Sequence, residues 1–127
     1  MTEERRGDAP LFVQPEWARE FPWLVQGTTT RDAGNFASFG DQTTATVQAQ
    51  WHRLRAALGV RSAVLGRQVH GAAIITHDAC ASGFLIADDS DGHITAAAQL
   101  LLAVSIADCV PVFVVEPERR MIAVLHA

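Results

Sequence analysis

Leu100-Leu-Leu-Ala-Val-Ser-Ile-Ala-Asp-Cys109-Val-Pro-Val-Phe-Val-Val-Glu-Pro-Glu-Arg-Arg120-Met-Ile-Ala-Val-Leu-His126-Ala127 is the stretch on which the fold turns. Its aliphatic and β-branched runs, Leu100 to Ile106, Val110 to Val115 and Met121 to Leu125, read as three strands. Asp108 and Pro111 interrupt the apolar run from Leu100 to Val115, which falls short of the about 20 residues needed to cross a bilayer. Glu116-Pro-Glu-Arg-Arg120 joins the last two strands as a hairpin turn. With the turn centred between Glu118 and Arg119, period-two alternation points Cys109 and His126 to one face as diagonal neighbours. Diagonal side chains start about 7–8 Å apart, within reach for a thiolate and an imidazole to share a metal or a proton. An odd loop length reverses that parity. Spacing alone does not separate this from the plainer reading, in which Cys109 is a small buried hydrophobe and His126 a satisfied polar residue.

Moving towards the N-terminus, Ala63-Val-Leu65 and Ala72-Ala-Ile-Ile-Thr76 read as further strands, punctuated by Gly66 and Gly71. Arg67-Gln-Val-His70-Gly71 lies between them. Its glycine lets a ligand approach closely and its imidazole suits borderline-soft metals, although a histidine beside glycine in a loop is also an ordinary solvated group. The segment from His77 to Gly92 reads as an acidic loop. It is not a calcium loop, because the first and twelfth ligand positions fall on Ala87 and Ala98. Val47, Trp51, Leu54 and Leu58 share one face of an amphipathic helix, with Thr43 or Thr44 to cap its start and Gly59 to end it. Before it, Gly27 to Asn35 is a turn-rich loop of the kind that carries binding groups. Phe12, Val13, Trp17, Phe21, Trp23, Leu24 and Val25 supply the first apolar material, and residues 1–10 read as a frayed polar tail. His52, His77 and His93 are assigned ordinary surface and turn positions.

Composition sets the outer bounds. A chain of 127 residues, 49% hydrophobic and 19% charged, has the make-up of one globular domain that builds its own core. A net charge of −4 argues against nucleic-acid binding or a polybasic membrane surface. All ten cations are arginines, so Schiff-base chemistry and a Walker-type phosphate-loop lysine are excluded. Two cysteines, Cys80 and Cys109, are too few for a disulfide scaffold, and the acid-containing N-terminus is not a secretory signal; the cytosol is the expected compartment.

Four segments taken in order, Gln68-Val-His-Gly71, Asp91 to Thr95, Ala107-Asp-Cys109-Val-Pro-Val112 and Ile122-Ala-Val-Leu-His126-Ala127, resemble the motif set of the YfiH family. That family is also called the multicopper polyphenol oxidase or laccase-domain family. Weaker likeness extends to Thr29-Thr-Arg31, Arg53-Leu54 and Leu58-Gly59. The resemblance implies an α/β (α+β) fold with a mixed sheet flanked by helices over residues 11–127. It also implies a metal site, and carried over residue by residue the ligands are His70, Cys109 and His126, which are also the expected catalytic residues. Two imidazoles and one thiolate suit zinc and leave the fourth tetrahedral position open, as in catalytic sites; copper is the alternative cation.

The implied substrates are purine nucleosides and phosphate, with phosphorolysis of adenosine, inosine, guanosine or methylthioadenosine and deamination of adenosine. Lacking lysine, the chain must bind phosphate through arginine or backbone amides, and Arg31 and Arg67 are the candidates. Gln68 and Asp108, close in sequence to the expected ligands, complete the expected substrate-binding and orienting set. The departures are a contracted Gly34-Asn35-Phe36-Ala-Ser38 stretch, Gln50-Trp51 where the family has Asn-Arg, and Asp91-Gly92-His93 in place of Asp-Ala-Leu. Family members are longer and continue after His-Ala with Gly-Trp-Arg-Gly, so the chain reads as the truncated N-terminal part of such a domain. Three other readings stand beside the leading one: phenol oxidation by copper, a metal-free hydrolase in which His126 activates Cys109, and an inactive binding domain.

Overall fold

The computed structural model of this protein describes residues 1–36, 45–78 and 82–127, and its chain divides into two compact units, Met1–Gly59 and Val60–Ala127.

In the first unit, strands β1 (Thr2–Arg6) and β2 (Ala9–Val13) form an antiparallel hairpin, and β2 also pairs with the two-residue β3 (Thr28–Thr29). The first ten residues are therefore not a frayed tail. Gly7 and Asp8 make a two-residue turn in which Gly7 supplies the positive φ of 56° that such hairpins require. Backbone pairing with β2 holds β1, whose charged side chains are largely exposed, whereas β2 buries Ala9, Pro10, Leu11 and Val13. A short helix α1 (Pro15–Glu20) begins with a proline, whose missing N–H is no loss in a first helical turn. After a 3-10 turn at Arg31–Ala33 comes the helix α2 (Ala45–Leu58). It buries Val47, Trp51 and Leu54, three of the four residues whose spacing foretold it, and Gly59 ends it at φ 68°. The expected threonine caps lie outside the described residues.

Among the described residues, two sheets build the second unit. Strands β4 (Ser62–Gly66), β6 (Gly83–Ala87) and β8 (Leu100–Ala103) form a parallel sheet in the order β6-β4-β8. A mixed sheet takes β5 (Ile74–His77), β7 (Gly92–Thr95), β10 (Met121–His126) and β9 (Pro111–Glu116), in the order β5-β7-β10-β9. Sandwiched apolar residues, Val64, Ala87, Leu100, Leu102 and Val124, form its core with Ile75, Ala97, Val104 and Ile122 packed against them. The α+β class agrees with the sequence reading. What differs is the partner of the mixed sheet: among the described residues both α-helices belong to the first unit, and the second packs sheet on sheet. Strand β6 was hidden by its setting, four apolar residues inside an acidic stretch.

The β9–β10 hairpin has the register expected from its turn, Met121 opposite Glu116 and His126 opposite Pro111. Glu116 closes the turn by accepting the backbone N–H groups of Glu118 and Arg119 at 3.2 and 2.7 Å. Beyond the strands, Val110 and Ala127 exchange both backbone hydrogen bonds, at 2.7 and 3.0 Å, so the pairing continues to the chain end. Across the sheet, one row sets Phe113, Val124, His93 and Ile75 side by side, and its Val124 lies in the core. Alternation then puts Asp91, two residues before His93, and His126, two after Val124, on that same side at one end of the sheet.

Candidate metal centre

Three segments converge at that end. Residues 67–71, following β4, carry His70; residues 104–110, between β8 and β9, carry Cys109; β10 ends on His126. One donor atom from each of these three residues lies within 4.8 Å of the other two, and His70 Nε2 is 4.0 Å from Cys109 Sγ. The two imidazole rings meet edge to face with centroids 5.0 Å apart. For comparison, a nitrogen and a sulfur on one tetrahedral zinc sit about 3.5 Å apart, given bond lengths of about 2.0 and 2.3 Å. For that pair, closure around an ion asks for an approach of roughly half an ångström, and for a pair at the 4.8 Å limit of the cluster roughly 1.3 Å. His70 is exposed and Cys109 half-buried, so the cluster opens to solvent on one side.

Asp91 organises the cluster from beneath. Its carboxylate is 3% exposed and accepts the backbone N–H groups of Val69 (3.1 Å), His70 (3.0 Å) and Gly71 (2.9 Å). Its Oδ1 also lies 2.8 Å from His126 Nδ1. Burial alone would push this carboxyl up; the Gly71 N–H, the His126 ring and the Val69 and His70 N–H groups outweigh it and bring it down to about 2. Asp91 is thus an anion at neutral pH. Donation of Nδ1–H to it places the His126 lone pair on Nε2, the tautomer and the carboxylate–histidine pairing of metal-binding imidazoles. The same carboxylate holds His70 at φ 57°, a backbone conformation uncommon for a residue other than glycine. The backbone of β10 joins in, His126 N–H donating to the Asp91 carbonyl at 2.7 Å.

Gln68 bonds the backbone of the Cys109 loop. Its side-chain amide grips Ser105, donating from Nε2 to the Ser105 carbonyl at 2.8 Å and accepting the Ser105 N–H on Oε1 at 2.6 Å. Arg67 pairs with Asp89 at the surface, and Asp108 is exposed one residue before Cys109. Arg31 belongs to the first unit, on the 3-10 turn at Arg31–Ala33. The reading from sequence missed Asp91 as an organiser and weighed it only as a calcium ligand and as part of a motif. Its one local sign was an acid between Ser90 and Gly92 at the head of a strand.

Below the cluster, His93 is fully buried rather than on a turn, with Nδ1 3.0 Å from His77 Nε2 and its own Nε2 without a hydrogen-bond partner. Burial first, and the neighbouring His77 second, lower its pKa to about 4 against the pull of Asp91. His77 is likewise lowered by burial, with Asp78 opposing.

An α+β fold with two histidines and a cysteine gathered at one sheet end defines a class, and the sequence comparison agrees with it. A sequence model of the multi-copper polyphenol oxidoreductase laccase family matches residues 27–127, and the chain belongs to that family, the YfiH-like laccase-domain group. Its curated relatives include purine nucleoside phosphorylases of Mycobacterium tuberculosis and Mycobacterium bovis, each 38% identical over 111 residues. Those matches cover 79% of this chain and 44% of each relative, so the chain spans less than half the length of the relatives it matches. The crystal structure of YlmD from Geobacillus stearothermophilus is similar, with a TM-score of 0.52 and 30% identity over 64% of this chain and 33% of that one. No helix among the described residues is long and apolar enough to cross a membrane.

Proposed function

We propose that this chain carries the metal centre of a purine nucleoside phosphorylase that also deaminates adenosine, with zinc held by His70, Cys109 and His126. The observation that carries the reading is the gathering of those three donors within 4.8 Å, with His126 oriented by the Asp91 carboxylate. Two neutral imidazoles and a thiolate fit zinc and leave one coordination position for substrate or water. When bound, the ion supplies Lewis acidity at neutral pH. Copper remains the alternative cation, but a single three-donor cluster among the described residues suits one ion, whereas reduction of oxygen by four electrons draws on several coppers.

Asp91 keeps Nδ1 of His126 protonated, so the ring presents its other nitrogen. Its grip on three successive N–H groups holds the His70 ring beside the sulfur. Phosphate, the co-substrate, calls for arginine in a chain without lysine, and Arg67, two residues before Val69 in the His70 loop, is the candidate in this unit. It is half-exposed and paired with Asp89, a contact that phosphate would have to displace. The names of the mycobacterial relatives support nucleoside phosphorolysis. A cytosolic setting suits a free cysteine that must stay reduced.

A metal-free Cys-His hydrolase is less well matched. The sulfur meets His70, whereas the carboxylate orients His126, so nucleophile, base and orienting acid do not form one relay. The test is release of free base from adenosine and inosine by the zinc-loaded protein, with and without phosphate, alongside ammonia release. Phosphate-dependent base release that disappears in His70→Ala is expected. A folded, zinc-loaded sample that yields neither base nor ammonia overturns the reading.

A further inference from the structure

We infer that Gln68 is a positioning residue whose side-chain amide clasps the loop carrying Cys109 to the loop carrying His70, and so sets the sulfur at ligating distance. The inference rests on the proposed metal centre and concerns how the chain assembles it. His70 and His126 are both tied to one group, Asp91, which accepts the His70 loop's N–H groups and the His126 ring. The hydrogen bonds to that carboxylate come from residues 69–71 and His126 and none from residues 104–110, so the Cys109 loop is tied down by other groups.

Two tethers flank it. On the C-terminal side, Val110 exchanges both backbone hydrogen bonds with Ala127, which fixes Cys109 relative to His126. On the N-terminal side, Ser105 exchanges both of its backbone bonds with the Gln68 amide, at 2.8 and 2.6 Å across 37 residues of sequence. Gln68 is two residues from His70, and Ser105 is four from Cys109. The amide thus stands where a neighbouring strand's peptide group would stand, satisfying a donor and an acceptor in a segment without strand pairing. A glutamine suits this task because one planar group carries donor and acceptor side by side.

The role differs from ordinary loop bracing in what it predicts. Loss of the clasp leaves both histidines on Asp91, so an ion would still find two nitrogens and lose the sulfur. Cobalt(II) substituted for zinc reports this directly, because a thiolate ligand gives an intense sulfur-to-cobalt charge-transfer band that histidine ligation lacks. The experiment loads cobalt into wild type, Gln68→Met and Gln68→Glu in a Cys80→Ser background. It records the charge-transfer and ligand-field bands, zinc affinity by competition with a chromophoric chelator, and protection of Cys109 from alkylation by zinc.

Wild type is expected to show the thiolate band. Gln68→Met, similar in length and unable to pair with Ser105, is expected to lose most of that band while retaining ligand-field absorption. Its zinc affinity should fall 10–100-fold, the usual effect of removing a group that orients a ligand, and its Cys109 should alkylate with zinc present. Gln68→Glu keeps an acceptor for the Ser105 N–H and loses the donor, so its band should be intermediate. An undiminished thiolate band and wild-type zinc affinity in Gln68→Met overturn the clasp alone. Absence of the band from folded wild-type protein overturns the metal centre and the clasp together. Should Gln68→Met fail to fold, Gln68→Glu decides: an unchanged band there refutes the clasp, and a weakened one with intact circular dichroism supports it.

Discussion

Replacing Asp91 by asparagine should weaken the second unit and its metal affinity at once, by amounts that follow from four hydrogen bonds. Oδ1 accepts from His70 N–H and His126 Nδ1–H, and Oδ2 accepts from Val69 and Gly71 N–H. An amide can present oxygen on one side only, so two of the four donors then face an NH2 group. Val69, His70 and Gly71 are exposed, so an N–H group that loses its partner turns to water, and each lost bond is worth about 0.5–1.5 kcal/mol, which puts the loss of two at about 1–3 kcal/mol. Titration gives an independent measure. A carboxyl whose ordinary value of 3.8 falls to about 2 on folding contributes on the order of 2 kcal/mol, present in full above about pH 4 and lost as pH falls towards 2. The two routes agree within their spread. Urea unfolding followed by far-ultraviolet circular dichroism at pH 7 measures the loss; tryptophan fluorescence is the wrong probe, since Trp17, Trp23 and Trp51 all precede the second unit. The variant should also bind zinc 10–100-fold more weakly, having lost the group that orients His126. Stability within about 0.5 kcal/mol of wild type, half the smallest loss expected for two hydrogen bonds, together with zinc affinity within a factor of two, would refute the reasoning.

Other consequences of the geometry can be checked as directly. Because His93 is held neutral, with its pKa lowered from 6.5 to about 4, stability should be complete above pH 6.5 and decline as pH falls through 6.5 towards 4; His93→Leu should flatten that part of the curve, by about 3 kcal/mol over the interval. A methyl group at Gly66 would meet the Ser90 carbonyl, Ser90 Oγ at 2.6 Å and His93 Nε2 at 2.9 Å, so Gly66→Ala should destabilise by about 2–4 kcal/mol in thermal unfolding, more than a surface glycine such as Gly59 replaced the same way. Cys109→Ser should reduce bound zinc, measured by elemental analysis after dialysis, well below one ion per chain, while unfolding stability without metal shifts little, since Cys109 is only half-buried. Retention of stoichiometric zinc by that variant would argue that the sulfur is not a ligand.

Local rules carried some elements and not others. The β9–β10 register was legible because a turn position and a period of two fix which residues share a face, and α2 because its apolar residues recur at helical spacing. Strand β1 was missed although Gly7-Asp8 is a recognisable hairpin signal, because its charged residues bury nothing and its stability comes from the ladder with β2. Strand β6 was missed because a short apolar run among aspartates carries little periodicity; its pairing with β4 supplies what the pattern lacks. His93 was read as a turn residue because a sequence does not reveal which sheet will cover it.

The candidate centre divides along the same line. His70, Cys109 and His126 were named as a set by the resemblance of four ordered motifs to one family, while hairpin parity by itself set only Cys109 and His126 on one side. Asp91 was not nameable in its role, and Gln68 was named as an orienting residue without its partner, Ser105. Asp91 acts on backbone N–H groups about twenty residues earlier and on a ring 35 residues later, and Gln68 on a peptide 37 residues away. Side-chain type and local alternation are properties of neighbours in sequence, and these the chain determined alone. Which carboxylate collects which amides depends on how loops from two different sheets are brought to one end, and only the packing of those sheets decided it.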